Sequence, residues 1–180
     1  MPRWSPLPHS RLLLLLSLAP LATALLPAPA AAEPPTATIQ LDPLTTALGF
    51  VHLQTEVAVA ERVSVYAGPH LRLFDNLVFG EPENIVGYGV EVGVRYFLTG
   101  TAPEGAWALV RGVGAWIEAP DADTSGVGGY VSALGGYTWI GGGWLVLSGG
   151  LGVQYLHYHV AGLGPKGVLP AAHTAIGVAF

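Results

Sequence analysis

The chain has 180 residues, a formal net charge of −5, only 11% charged residues and no cysteine. The acidic balance argues against nucleic acid, which selects basic surfaces, and the missing thiols exclude a disulfide framework and thiolate metal sites. Charge this sparse, less than half the ~25% of ordinary soluble domains, beside 25 glycines, argues against a soluble helical protein.

Residues 1–32 read as a cleavable signal peptide. Arg3 and Arg11 give a basic start, Leu12 to Leu16 an unbroken leucine run, and small residues extend it to Leu26. Ala30 and Ala32 fit a small-x-small cleavage site, placing the cut after Ala32 or two residues earlier. Pro20 breaks the apolar run and argues against a retained membrane helix. No cysteine follows to carry a lipid anchor. Residues 33–180 would then form one domain with five basic residues against twelve acids, a net charge of about −7. No segment of it has the ~20 consecutive apolar residues of a membrane helix. A chain so apolar without helical spans has one main solution in a bilayer, the closed barrel.

The segments that follow alternate with period two. The first expected strand, Thr36 to Leu44, is short, holds Pro43 at its end, and returns tightly near Thr45-Thr46. In Leu48 to Val59, Val51, Leu53, Val57 and Val59 share one face; His52, Gln54 and Glu56 share the other. Val63 to Phe74 sets Val63, Val65, Ala67, Pro69, Leu71 and Leu73 against Ser64, Tyr66, Gly68, His70 and Arg72. Ile85 to Leu98 opposes a row from Val86 to Leu98 to Gly87, Gly89, Glu91, Gly93 and Arg95. Trp107 to Glu118 and Val127 to Ile140 are also strands, but their facing stays open. Arg111 should point inward, because a charge at mid-depth on a lipid face costs roughly 2–4 kcal/mol. Leu145 to Tyr155 sets Leu145, Leu147, Leu151, Val153 and Tyr155 against Ser148, Gly150, Gly152 and Gln154. The closing strand sets Ala172, Ile176, Val178 and Phe180 against His173, Ala175 and Gly177.

Connections alternate in length. Ala60–Arg62, Thr99–Glu104 and Gly141–Gly143 are the shorter set; Asp75–Asn84, Pro120–Ser125 and Val160–Leu169 are the longer. The expected fold is therefore all-β, an eight-stranded antiparallel transmembrane up-and-down β-barrel. Outward aromatics fall in two groups. Tyr96, Tyr137, Trp139 and Phe180 lie near the short turns, Tyr88 and Tyr155 near the other end. Tyr88 to Tyr96 spans roughly 26 Å of strand, near 20 Å of height when tilted, which suits a bilayer's two interfaces. A soluble β-sandwich is the rival, and it would bury the outward rows in a shared core.

The leader, the alternating strands and the terminal aromatic resemble small Gram-negative outer-membrane barrels. The resemblance implies an outer-membrane location, lipid and lipopolysaccharide as surroundings, and recognition of the last strand, ending in Phe180, by the barrel-assembly machinery. More narrowly, Leu41-Asp42-Pro43-Leu44, the strand bearing Glu56 and the turn at Glu61-Arg62 resemble an outer-membrane barrel family of unknown function.

An eight-stranded barrel has room inside for side chains and little else. Glu56, Arg72, Glu91, Arg95 and Arg111 are expected there as an ion-paired polar network, since an isolated buried charge would be very costly. Inward glycines leave room for water or relieve crowding. His157, His159 and His173 are the candidate metal ligands: the first two share a face and His173 starts the neighbouring strand. The acidic loop residues Asp75, Glu81, Glu83, Glu118, Asp121 and Asp123 either hold divalent cations against lipopolysaccharide or are simply solvated. Ser132 or Ser148 would be the nucleophile of a lipid-modifying enzyme, and no His-x-Ser arrangement accompanies them. GVGAW and GVGGY sit in strands without the following helix that a phosphate loop needs. The expected function is structural or surface-interacting, by a non-enzymatic monomer without a cofactor. The alternatives are a narrow pore for ions or small solutes and a lipid A-modifying enzyme.

Overall fold

The structure, a computed structural model, describes residues 34–47, 49–72, 86–119, 123–158 and 166–180. The expected signal peptide, His159, and the loop acids Asp75, Glu81, Glu83 and Asp121 lie outside the described residues. The elements are β1 (Ala37–Leu41), α1 (Pro43–Ala47), β2 (Phe50–Ala60), β3 (Val63–Arg72), β4 (Val86–Phe97), β5 (Gly105–Ala119), β6 (Thr124–Gly141), β7 (Leu145–His157) and β8 (Lys166–Ala179). Each strand pairs antiparallel with the next, and β1 pairs with β8, so the sheet closes into an eight-stranded barrel.

The period-two pattern decides which side chains go inside. On β4, Val90, Val92 and Val94 are 57%, 54% and 52% exposed on the outer wall, while Glu91 and Arg95 between them are 1% and 0% exposed. The same assignment holds for the rows of β2, β3, β7 and β8. The outward rows are not buried against one another, which excludes the β-sandwich. On β5 and β6 both rows are apolar, so alternation alone could not orient them. The barrel takes Trp107, Leu109, Arg111, Val113, Ala115 and Ile117 inward from β5, and Tyr130, Ser132, Leu134, Thr138 and Ile140 from β6.

One end carries the turn at Glu61-Arg62, the 98–104 connection and the turn at 142–144; the other carries α1, the ends of β3, β5 and β7 and the starts of β4, β6 and β8. Gly142 and Gly143 have φ of 61° and 76°, the left-handed pair that a tight hairpin turn needs.

The first expected strand is shorter than its sequence suggested. It stops at Leu41, and Pro43 opens a helix instead of ending a strand. A proline lacks the N–H of a ladder but is pre-set for a first helical turn. Asp42 caps that turn: its Oδ1 accepts from Thr45 N at 3.0 Å. The closing strand is longer than expected and begins at Lys166, so the preceding connection ends at 165 and not at Leu169.

These two changes are linked. β1 pairs with β8 only from Thr38↔Ala179 to Leu41↔Ile176. Among the described residues, 166–175 of β8 have a strand neighbour on the β7 side alone. The N–H groups of Phe180 and Thr174 point toward the β1 side, so Pro170, of the same parity, aims its missing donor at that unpaired edge. This is where a strand tolerates proline. Asp42 and α1 fill the lower part of the gap: Thr174 Oγ1 donates to Asp42 Oδ1 at 2.6 Å and Thr174 N to Oδ2 at 3.3 Å.

Candidate functional site

The interior of the barrel is the only place where the described charged side chains converge. Glu56, Arg72, Glu91, Arg95 and Arg111 are 4% exposed or less. They form two layers around two carboxylates. Toward the turn end, Glu56 Oε2 accepts from Arg95 Nη1 at 2.7 Å and from Gln40 Nε2 at 2.8 Å, and Oε1 accepts from Ser64 Oγ. Arg95 lies 4.5 Å over the Trp107 ring and its Nη2 is 3.3 Å from His173 Nε2. Toward the loop end, Glu91 Oε1 accepts from Gln54 Nε2 at 2.8 Å and Tyr66 Oη at 2.9 Å. Its Oε2 lies 2.5 Å from His52 Nδ1 and accepts from Tyr130 Oη at 3.1 Å. Arg111 Nη1 is 3.6 Å from Oε1, and its Nε donates to Ser132 Oγ at 3.1 Å. Arg72 stands near the loop end with its guanidinium 5.4 Å over the Phe50 ring. Buried carboxylates need this density of donors to offset their lost hydration.

Two inward glycines make room for rings and not for water. A side chain at Gly93 would overlap the Tyr66 ring, and one at Gly150 would overlap the Trp107 ring. Glycine at these points gives each ring space against the inner wall, Tyr66 beside its register partner Gly93 on β4 and Trp107 beside Gly136 and Gly150 on β6 and β7. Trp107 and Phe97 cluster with Leu109, Leu134 and Tyr66 beside the Glu56–Arg95 pair and reach from it toward the turn end. A second cluster of Val113, Ile117, Tyr130, Leu156 and Tyr158 lies toward the loops.

Of the expected histidine cluster, the two described members, His157 and His173, do not come together. His157 pairs with Lys166, whereas His173 pairs with Gly150, seven residues away along β7, roughly 23 Å at strand rise. His173 does not start its strand but lies in its middle, because β8 begins at Lys166. It packs edge-on against Trp107, ring centroids 5.6 Å apart. A different pair comes together. His52 and His70 are opposite each other in the β2–β3 register, and Glu91 stands beside them on β4. The signal was present in the numbering: the two histidines lie nine residues on either side of Glu61, in the hairpin turn.

No family model, curated protein or solved structure matches this chain.

The aromatics Tyr88, Tyr96, Tyr137, Trp139, Tyr155 and Phe180 all stand on the outer wall, each about half exposed. Trp116, paired with Tyr88, and Trp144, in the turn before β7, join the two groups. The hydroxyls of Ser132 and Ser148 point inward, to Arg111 and Thr138. Among the described residues, no hydrogen bond joins either serine to a histidine.

Proposed function

We propose that this protein is an integral outer-membrane barrel with a filled lumen, serving a structural or surface-interacting role rather than catalysis. One observation carries the reading. The barrel is apolar outside and charged inside, the reverse of a soluble protein. Val65, Val90, Val92, Val94, Val110 and Val131, on four adjacent strands, are all 40–60% exposed, a contiguous apolar surface of the kind that marks contact with a partner or a membrane. Lipid chains supply its cover, and the two aromatic groups suit the interfaces above and below. No helix among the described residues is long and apolar enough to cross a membrane; the crossing would be by strands. The leader reading and the resemblance to small Gram-negative barrels favour the outer membrane, with lipopolysaccharide against the loop end. β8, with outward Ile176, Val178 and Phe180, is the segment we assign to the assembly machinery. The rings and ion pairs across the lumen favour a plugged monomer over a pore.

Two measurements test this. Folded protein run unheated on a denaturing gel should migrate faster than boiled protein, and the membrane fraction should release it only into detergent. Extraction by carbonate alone, with no heat-dependent mobility, would remove the membrane reading. In planar bilayers no unitary conductance is expected; discrete channel steps would replace the plug with the pore.

A further inference from the structure

We propose that His52, His70 and Glu91 form a divalent transition-metal site inside the barrel, taking zinc or an ion of similar preference. The proposal rests on side-chain geometry and is independent of what covers the outer wall.

The three residues are buried, and their nearest ligand atoms lie within 4.8 Å of one another. Their hydrogen bonding is the telling feature. Glu91 Oε2 is an acceptor, so the proton between it and His52 Nδ1, 2.5 Å away, belongs to His52. His70 Nδ1 lies 3.4 Å from that same nitrogen. It cannot donate to a nitrogen that already carries a proton, so it turns a lone pair toward His52. The other nitrogen of His70 faces Tyr158 Oη at 2.8 Å and donates to it. Three ligand atoms on three strands therefore converge on a single proton. A metal ion that takes the place of that proton, the proton leaving His52 Nδ1 for Nε2 of the same ring or for bulk water, turns all three into ligands.

The spacing fits with two adjustments, an opening between His52 and Glu91 and a closing of the His70–Glu91 separation, which lies within 4.8 Å, toward the tetrahedral value. Ligands of a tetrahedral zinc stand about 3.4 Å apart when bonds are about 2.1 Å. The two Nδ1 atoms already have that separation. The His52–Glu91 contact must open by about 1 Å once the ion relieves it of its hydrogen bond. Two imidazoles and one carboxylate suit zinc, nickel, copper or cobalt rather than calcium or magnesium, and leave a fourth position for water. The surrounding contacts are those that orient metal ligands. Tyr158 fixes the tautomer of His70. Gln54 and Tyr66 hold Glu91 Oε1, while Oε2 faces His52 Nδ1 and also accepts from Tyr130 Oη at 3.1 Å. Such a site would tie β2, β3 and β4 together inside the wall.

The test refolds the protein in detergent with equimolar zinc sulfate, desalts it, and counts the metal. The expected result is about one zinc per chain, unchanged in His157→Asn and reduced at least about tenfold in His70→Asn and in Glu91→Gln. Tyr158→Phe should weaken binding about tenfold without abolishing it. Circular dichroism checks that each variant folds. Should the site variants not fold, cobalt-loaded wild type gives the answer by X-ray absorption. Two imidazoles and an oxygen shell support the site; a shell without imidazole overturns it. Wild type that retains no zinc, or variants that fold and retain it equally, overturns it as well.

Discussion

Glu56 and Arg95 are a residue pair whose worth lies in being complete. Each is 1% exposed or less, and each would be a bare charge in a low-dielectric interior without the other. Glu56→Ala should therefore destabilise the barrel by about 3–5 kcal/mol, while Glu56→Leu combined with Arg95→Met should recover much of that loss. Urea unfolding followed by tryptophan fluorescence measures both, and a single variant as stable as wild type would show that water reaches the pair. At Gly93 the constraint is volume. Gly93→Ala forces the Tyr66 ring aside, for a loss of about 1–3 kcal/mol, and Tyr66→Leu in the same chain should relieve it. That these side chains point inward was legible from their parity. Their partners were not, because Glu56 meets Arg95 from two strands away, 39 residues along the chain.

At the scale of elements, α1 and β8 depend on one side chain. Asp42 caps the helix through Thr45 and holds Thr174 of β8. Asp42→Ala should cost about 1–2 kcal/mol, the upper end of a cap's value, and Asp42→Asn less. Faster hydrogen exchange at Thr174 should accompany the loss; an unchanged rate there would mean that α1 and β8 are held by packing alone. The sequence carried the cap signal, Asp42 followed by Pro43. It read as the end of a strand because the segment before it alternates, and a five-residue helix is too short to show a period of its own. The early start of β8 was hidden for a related reason: Gly167 and Pro170 look like a loop until the pairing with β7 and the unpaired edge are known.

For the whole molecule the question is what touches the outer wall. Val92→Arg places a charge at mid-height, opposite Ala67 and Gly112. Against lipid it should cost about 2–4 kcal/mol; against water an exposed position of this kind changes stability by only about 0.5 kcal/mol. Folding into lipid vesicles, with Val86→Arg at the loop-end rim as the milder comparison, separates the two. An equal, small effect at both positions would mean the outer wall faces water.

Strand count and the two sides of β2, β3, β4, β7 and β8 were legible in the order of residues, because period-two alternation is a local property of each extended segment. Only the tertiary structure decided the facing of β5 and β6, where both rows are apolar and both the interior and the outer wall accept them. It also decided that His52 and His70 meet Glu91 while His157 and His173 stay apart. Those meetings depend on register, which turn lengths and cross-strand hydrogen bonds set over the whole closed sheet.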